Sequence, residues 1–274
     1  AILALTLGET EEMCCSSVVR KTTSGYLLGH NEEENPPEPL CFARVRLKTK
    51  NGNTIRFASV SYPFQLFGSA CGMTPTFAFQ GNSIGTGENE ITSWNKRIPK
   101  TFFSRKMLEL ASIDEVTDMF KKHPTTLPNH HYIVFHDGAY SLEIAPILGT
   151  NDVRCYKIED EFDVHTNHFL DSRELDSKWR WMSKEDQRDS HERLCELRRM
   201  WRVHTGDGLI KRMVKFRNNG REKYTSATVV FELTEKGTTC SGRYYPPGLE
   251  KEAPTQKVTT IELKRNNQHN KVRR

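Results

Sequence analysis

The chain has 274 residues, of which 36% are hydrophobic and 27% charged, with a formal net charge of +5. A length of that order supports one substantial core, and no apolar run approaches the ~18 residues that a membrane helix needs, so a single soluble domain is expected. The 40 basic residues are interleaved with 35 acidic ones instead of forming a stripe, which argues against nucleic acid as a partner.

Seven cysteines occur, at 14, 15, 41, 71, 155, 195 and 240, without any C-x-x-C spacing. An odd count without zinc-ligand spacing favours reduced thiols in the cytoplasm over a disulfide framework or a closed metal site. The opening "AILALTLGETEEM" lacks a basic n-region and a small-residue cleavage site, and reads as a residual segment ahead of the first cysteine pair.

Along the chain, "CCSSVVRKTTSGYLLGHNEE" (Cys14 to Glu33) predicts a hairpin: small and β-branched residues, turn chemistry at "TTSG" with Gly25 free to take positive φ, then a second strand. "ENPPEP" breaks regular structure. "LCFARVRLKTKNGNTIRFASV" predicts another hairpin turning at Asn51-Gly52, and "SACGMTPTFAFQGNSIG" a further strand pair ending near Asn82. "SRKMLELASIDEVTDMFKKH" predicts two short helices, the second starting afresh at Ser112.

"HHYIVFHDGAYSLEIAP" turns at Asp137-Gly138, and "CYKIEDEFDVHTNHF" continues in strands. "SKEDQRDSHERLCELRRMW" predicts a long amphipathic helix with Leu194, Leu197 and Trp201 on one face. "SATVVFELTEKGTTCSGRYYPPG" gives a last strand pair, and "NNQHNKVRR" a frayed basic tail. Antiparallel hairpins with helices between them, and no βαβ alternation, suit two sheets carrying helices on their outer faces.

A thiol is mostly protonated at neutral pH and needs a base. A cysteine that is the first residue of its chain can use its own α-amine, whose reference pKa is ~8. The predicted hairpin carries Asn31 and Glu33 back to the cysteine end of the sheet, where a carboxylate or amide could hold such an amine. The alternative is that Cys14 and Cys15 are ordinary buried strand residues. His130, His131, His136, His165 and His168 do not form a metal set, because adjacent histidines on a strand point to opposite faces. Trp179, Trp181 and Trp201 read as helix-packing residues, and "GTGENE" and "GDG" as glycine turns outside any phosphate-loop context.

"CSSVVRKTTSGYLLGHNEE" resembles the start of the mature chain in the acyl-coenzyme A:6-aminopenicillanate acyltransferase family of N-terminal-nucleophile hydrolases, which includes the arthropod Tan-type hydrolases of β-alanyl amines. Cys15, Ser16 and Ser17 fit the family's Cys-Thr-Thr step, Gly25 its turn, and Gly29, Asn31 and Glu33 its Gly-x-Asn-x-Asp; Cys14 stands where the family has glycine. "YPFQLFGSACGMTPTFAFQGNSI", "IPKTFFSRKMLELASIDEVTDMF" and "HTNHF" are similar to further Tan-type segments, so that most of residues 14–248 is covered.

The resemblance implies an α+β, four-layer αββα sandwich and a precursor that cuts its own backbone between Cys14 and Cys15. On that reading residues 1–14 are a residual pre-nucleophile segment, 15–264 the catalytic domain and 265–274 the basic tail. Cys15 is the expected nucleophile, Glu33 the carboxylate that organises its amine, and Asn167 the donor of a side-chain N–H to the oxyanion. Asn31, Asn82 and His168 are expected on the substrate or oxyanion side, and Arg243 is a candidate for a family arginine near the chain's end. The implied activity is cleavage or transfer of the acyl group of a small acylated amine, β-alanyl conjugates of biogenic amines first among them, without cofactor or metal. The implied partners are that small molecule and the chain's own N-terminal segment; no nucleic acid or membrane is implied, and homo-oligomerisation is left open. A relative that keeps the fold and binds a ligand without turning it over is the alternative.

Overall fold

The computed structural model describes residues 14–34, 40–48, 50, 52–62, 65–84, 97–147, 150–170, 184–213, 224–244 and 259–265. Two antiparallel sheets form the middle of the molecule. One has the strand order β10-β1-β2-β11-β12-β13, the other β3-β4-β5-β6-β7-β8-β9. The first is built from β1 (Cys14–Thr22), β2 (Gly25–Glu34), β10 (Phe162–His165), β11 (Tyr224–Thr234), β12 (Gly237–Tyr244) and β13 (Thr259–Lys264). The second contains β3 (Cys41–Lys48), β4 (Thr54–Ser61), β5 (Cys71–Met73), β6 (Phe77–Ser83), β7 (Asn129–Phe135), β8 (Ala139–Ile147) and β9 (Thr150–Lys157).

Strand alternation sorts the apolar side chains into three layers. Val19, Leu28, Val229 and Phe231 from the first sheet meet Val60, Met73, Ala78 and Tyr132 from the second between the sheets. The opposite face of the first sheet, with Val18, Leu27, Val164 and Val230, is covered by α3 (Lys184–Arg198) and α4 (Gly206–Met213) through Leu194, Leu197, Leu209 and Met213. The outer face of the second sheet, with Phe57, Phe79, Ile133 and Leu142, is covered by α1 (Lys100–Met107) and α2 (Ile113–Lys122) through Phe103, Met107, Val116 and Phe120. Each of these fully buried aliphatic and aromatic side chains contributes about 1.5–3 kcal/mol of transfer free energy. The result is the expected α+β, four-layer αββα sandwich.

The predicted hairpins form, with Gly25 and Asp137-Gly138 in the expected links, while Asn51 of the expected Asn51-Gly52 turn lies outside the described residues. Gly25 opens β2 at φ +146°, and a Cβ there would lie 2.0 Å from the Leu233 carbonyl oxygen, which is why the turn ends on glycine. Ser112 caps α2, its side chain accepting the Glu115 N–H. Two elements were not predicted, α4 and β13. Helix α4 lies directly on β2: a Cβ on Gly29 would meet Met213 Sδ at 2.7 Å and Leu209 Cδ2 at 2.9 Å.

Trp201 departs from its expected place. It follows α3 and is 53% exposed, with the Arg202 guanidinium 4.9 Å from its ring, so its indole is covered by a cation and not by the core. Trp179, Trp181, the "ENPPEP" breaker beyond Glu34 and the basic tail beyond Arg265 lie outside the described residues.

Candidate functional site

The two-residue turn at Thr23-Ser24 fixes the register of β1 on β2. Thr22 faces Gly25, and counting back along both strands places Cys15 opposite Glu32 and Ser16 opposite Asn31. Cys15, Ser17, His30 and Glu32 therefore point between the sheets, while Ser16, Asn31 and Glu33 point toward the helices. The predicted site residues gather at one end of β1, divided between the two faces of the sheet.

On the helix face, Arg193 is the organising group. It comes from α3, whose buried side carries Ser190, Arg193, Leu194 and Leu197. Its Nη1 donates to the Cys15 carbonyl oxygen at 2.9 Å, to Ser16 Oγ at 3.0 Å and to Glu33 Oε2 at 2.9 Å. Nη2 donates to Asn167 Oδ1 at 2.7 Å, and Nε to Asp189 Oδ2 at 2.7 Å. Ser16 Oγ donates to both Glu33 oxygens at 2.9 Å. Burying a carboxylate and a guanidinium together is tolerable only when their hydrogen-bonding capacity is met this fully.

Asn167 follows β10 and touches the backbone nitrogen of Cys15, whose N–H donates to Asn167 Oδ1 at 3.0 Å. The orientation of this amide follows from its partners. Two donors, Cys15 N–H and Arg193, face Oδ1, and an acceptor, the Ser83 carbonyl oxygen, receives Nδ2 at 2.7 Å. One of the two side-chain N–H bonds of Asn167 is given to β6 in this structure, and its Oδ1 holds the Cys15 nitrogen. Glu33, expected at that nitrogen, is drawn to Arg193 and Ser16 because its position in the pleat directs it to the helix face.

Asn31 ties layers together, accepting from Thr228 Oγ1 at 2.8 Å and donating to the Met213 carbonyl oxygen at 3.1 Å. Asn82 is on the inner face, where its Oδ1 accepts from Ser17 Oγ at 2.8 Å and its Nδ2 donates to the Thr166 carbonyl oxygen at 3.1 Å. His168 turns toward α3, 2.8 Å from Ser190 Oγ and with its ring centroid 4.1 Å from that of His191. Burial, with the neighbouring His191, pulls the His168 pKa down to about 3.

On the inner face, Cys15 is 2% exposed and its Sγ lies 3.7 Å from Glu32 Oε2. Glu32 Oε2 also accepts from the Tyr62 hydroxyl at 2.6 Å, and Oε1 lies 2.6 Å from His30 Nε2. The other ring nitrogen, Nδ1, is 3.1 Å from Ser17 Oγ. Burial is the largest influence on Glu32 and opposes its charge, yet His30, the Tyr62 hydrogen bond and Lys100 together leave its pKa below the ordinary carboxylate value.

Cys15, His30 and Glu32 place three ligand atoms within 4.8 Å of one another. The His30–Glu32 separation of 2.6 Å is that of a short hydrogen bond. It is well short of the roughly 3.3 Å edge of a tetrahedron with zinc's ~2.0–2.1 Å bonds.

His130 and His131 point to opposite faces of β7, as alternation requires: His130 stacks on His165 at 3.5 Å, and His131 lies against Phe120.

Arg193, Glu32, His30 and Tyr62 were not identified from the sequence. Arg193 is charged and so drops out of any search for an apolar helix face, while Glu32 is recoverable by counting register from the Thr23-Ser24 turn. Arg243 lies on β12 opposite Thr228, the residue whose hydroxyl donates to Asn31.

A sequence search among curated proteins returned no match. Among solved structures, a Caenorhabditis elegans N-acylethanolamine-hydrolyzing acid amidase ortholog superposes with a TM-score of 0.57 at 15% identity, over 85% of this chain and 100% of that chain. A mutant conjugated bile acid hydrolase from Clostridium perfringens gives a TM-score of 0.52 at 12% identity, over 90% of this chain and 92% of that chain. These likenesses carry the fold. The model of one family matches residues 20–239, a span that opens after Cys15 and covers well over half of the chain. On that match, the chain belongs to the acyl-coenzyme A:6-aminopenicillanic acid acyl-transferase family.

Proposed function

We propose that the chain is a cysteine N-terminal-nucleophile amidohydrolase or acyltransferase, freed by scission of the Cys14–Cys15 bond and acting on a small acylated amine. The observation that carries this reading is the hold on Cys15: its N–H is taken by Asn167 Oδ1 and its carbonyl oxygen by Arg193. Its sulfur projects to the other face of the sheet. A nitrogen fixed in this way stays beside its own sulfur once the preceding bond is cut, and can then serve as base.

The amine takes the thiol proton, Sγ attacks the acyl carbonyl, and the proton passes to the leaving amine as the tetrahedral adduct collapses to a thioester. Water or a second amine then releases the acyl group. β-Alanyl conjugates of biogenic amines are the first substrates to try, with N-acylethanolamines, named for the worm relative, beside them. A non-catalytic binder is the second reading, favoured by the 2% exposure of Cys15.

The experiment is N-terminal sequencing of the purified full-length chain after incubation, with turnover of both amide classes. The enzyme reading expects a new terminus at Cys15. Cys15→Ala should stay intact and inactive, whereas Cys14→Ala should keep turnover. An intact wild-type chain that releases no amine from either class overturns it, and a Cys14→Ala variant that loses turnover while Cys15→Ala retains it shows that the wrong sulfur was chosen.

A further inference from the structure

The self-cleavage proposed above leaves one proton without an acceptor. While Cys14 is attached, the nitrogen of Cys15 is an amide: its lone pair is delocalised and its N–H is given to Asn167 Oδ1 at 3.0 Å. It cannot take the thiol proton until the bond it belongs to has been broken. Some other group must act in the intact chain.

The register supplies one. Glu32 is the direct cross-strand partner of Cys15, on the same inner face, with Oε2 3.7 Å from Sγ. Its carboxylate is only 2% exposed and is held from two sides, by Tyr62 through Oε2 and by His30 through Oε1. His30 is braced in turn by Ser17, and Ser17 by Asn82. Such a chain fixes the carboxylate's position and favours its charge, as a base acting inside a packed layer requires. Glu33 does not meet this need, because it lies on the helix face and is neutralised by Arg193 at 2.9 Å.

We propose that Glu32 accepts the Cys15 thiol proton in the intact chain and delivers it to the Cys15 nitrogen as the Cys14–Cys15 bond breaks. The inference rests on the self-cleavage reading above. In the first step the Sγ–H bond breaks, the proton moves to Glu32 Oε2, and the sulfur's electron pair bonds to the Cys14 carbonyl carbon. The tetrahedral adduct then expels the Cys15 nitrogen, which takes the proton back from Glu32. Water hydrolyses the resulting thioester, leaving a carboxylate on Cys14 and a thiol and free amine on Cys15. Glu32 is then the base of a single event, and the amine it liberates takes over that office for turnover.

The test is the rate of scission at Cys15 in the full chain, followed by intact mass and N-terminal sequencing, for wild type, Glu32→Gln and Glu32→Asp. Hydroxylamine is added in parallel to trap any thioester. The proposal expects Glu32→Gln to slow scission by about 10²–10⁴-fold, the range a positioned general base supplies. Glu32→Asp, which keeps the charge but retracts it by one methylene, should fall between. If wild type and Glu32→Gln are cut at rates within about threefold, the role of Glu32 is overturned and self-cleavage stands. A wild-type chain that stays intact even in hydroxylamine overturns both.

The pH profile of wild type gives a readout that does not depend on how the variants fold. A scission rate that falls in acid as a carboxylate is protonated supports the proposal. A rate that rises only as free thiol ionises, above about pH 8, overturns it.

Discussion

Replacing Arg193 by methionine should be among the most damaging single changes in the molecule. Methionine keeps much of the length and apolar stem but removes every donor. Glu33 Oε2, the Cys15 carbonyl oxygen, Ser16 Oγ and Asn167 Oδ1 would all lose the guanidinium. Glu33, 4% exposed, would remain as a buried carboxylate without its cation. Breaking a buried pair by removing one partner costs about 3–5 kcal/mol, most of it from the charge left behind.

For a domain of this size each kcal/mol lowers Tm by about 2–4 °C, so the expected drop is about 6–20 °C. The assay is urea and thermal unfolding of Arg193→Met, Glu33→Gln and the double variant in a Cys15→Ala background, which keeps a single uncleaved species. Glu33→Gln should cost less, because Arg193 retains Asp189 at 2.7 Å. The double variant should cost less than the two singles together, by about 1–3 kcal/mol of coupling. A single-variant loss under about 1 kcal/mol with additive behaviour would refute the reasoning, since the pair would then be an exposed-type contact of no consequence.

Acid should unfold the chain earlier than its carboxylates alone would dictate. Burial, with the charge of Lys100, drives the His131 pKa down to about 3, and burial with His165 holds His130 well below its usual value. The unfolded chain takes up these protons near pH 6.5 and the folded chain refuses them. The stability they contribute is therefore complete above pH 6.5 and lost as pH falls below it, for His131 down to about 3, at about 1.4 kcal/mol per pH unit for each histidine. Urea midpoints at about pH 7 and 5.5 should differ accordingly, and equal midpoints would sink the claim. Gly29→Ala should cost about 1–3 kcal/mol, because its methyl group would press on Met213 and Leu209 in α4. Leu209→Ala should recover part of that loss in equilibrium unfolding, and an absence of rescue would mean that the helix does not rest on the strand at this point.

The hairpins were legible because two periods coincide in them, alternation along each strand and turn residues such as Gly25, Asn51-Gly52 and Asp137-Gly138 between them. Helix α4 was hidden by its own start, since Gly206-Asp207-Gly208 reads as a turn, and its apolar residues Leu209, Ile210 and Met213 are too few to assert a helical period alone. β13 is a lone strand with no turn to announce it. In the candidate site, Cys15, Asn167 and Glu33 were reachable from the family pattern, but which face of the sheet each serves was not. That depends on register, and the pairing of Cys15 with Glu32 could have been counted from the Thr23-Ser24 turn. Arg193 required knowing how α3 rolls against the sheet, which is decided by tertiary packing of Leu194 and Leu197.

The short link between β1 and β2 acts as a ruler. A residue added or deleted there, with β10 still gripping β1 from its other side, would slip β2 by one position and turn His30 and Glu32 toward the helices, away from the sulfur. The loops that wall a ligand can drift in length without touching this chemistry. The distance from Gly25 back to Cys15 has no such freedom, because parity alone decides whether His30 and Glu32 share the thiol's compartment of the sandwich.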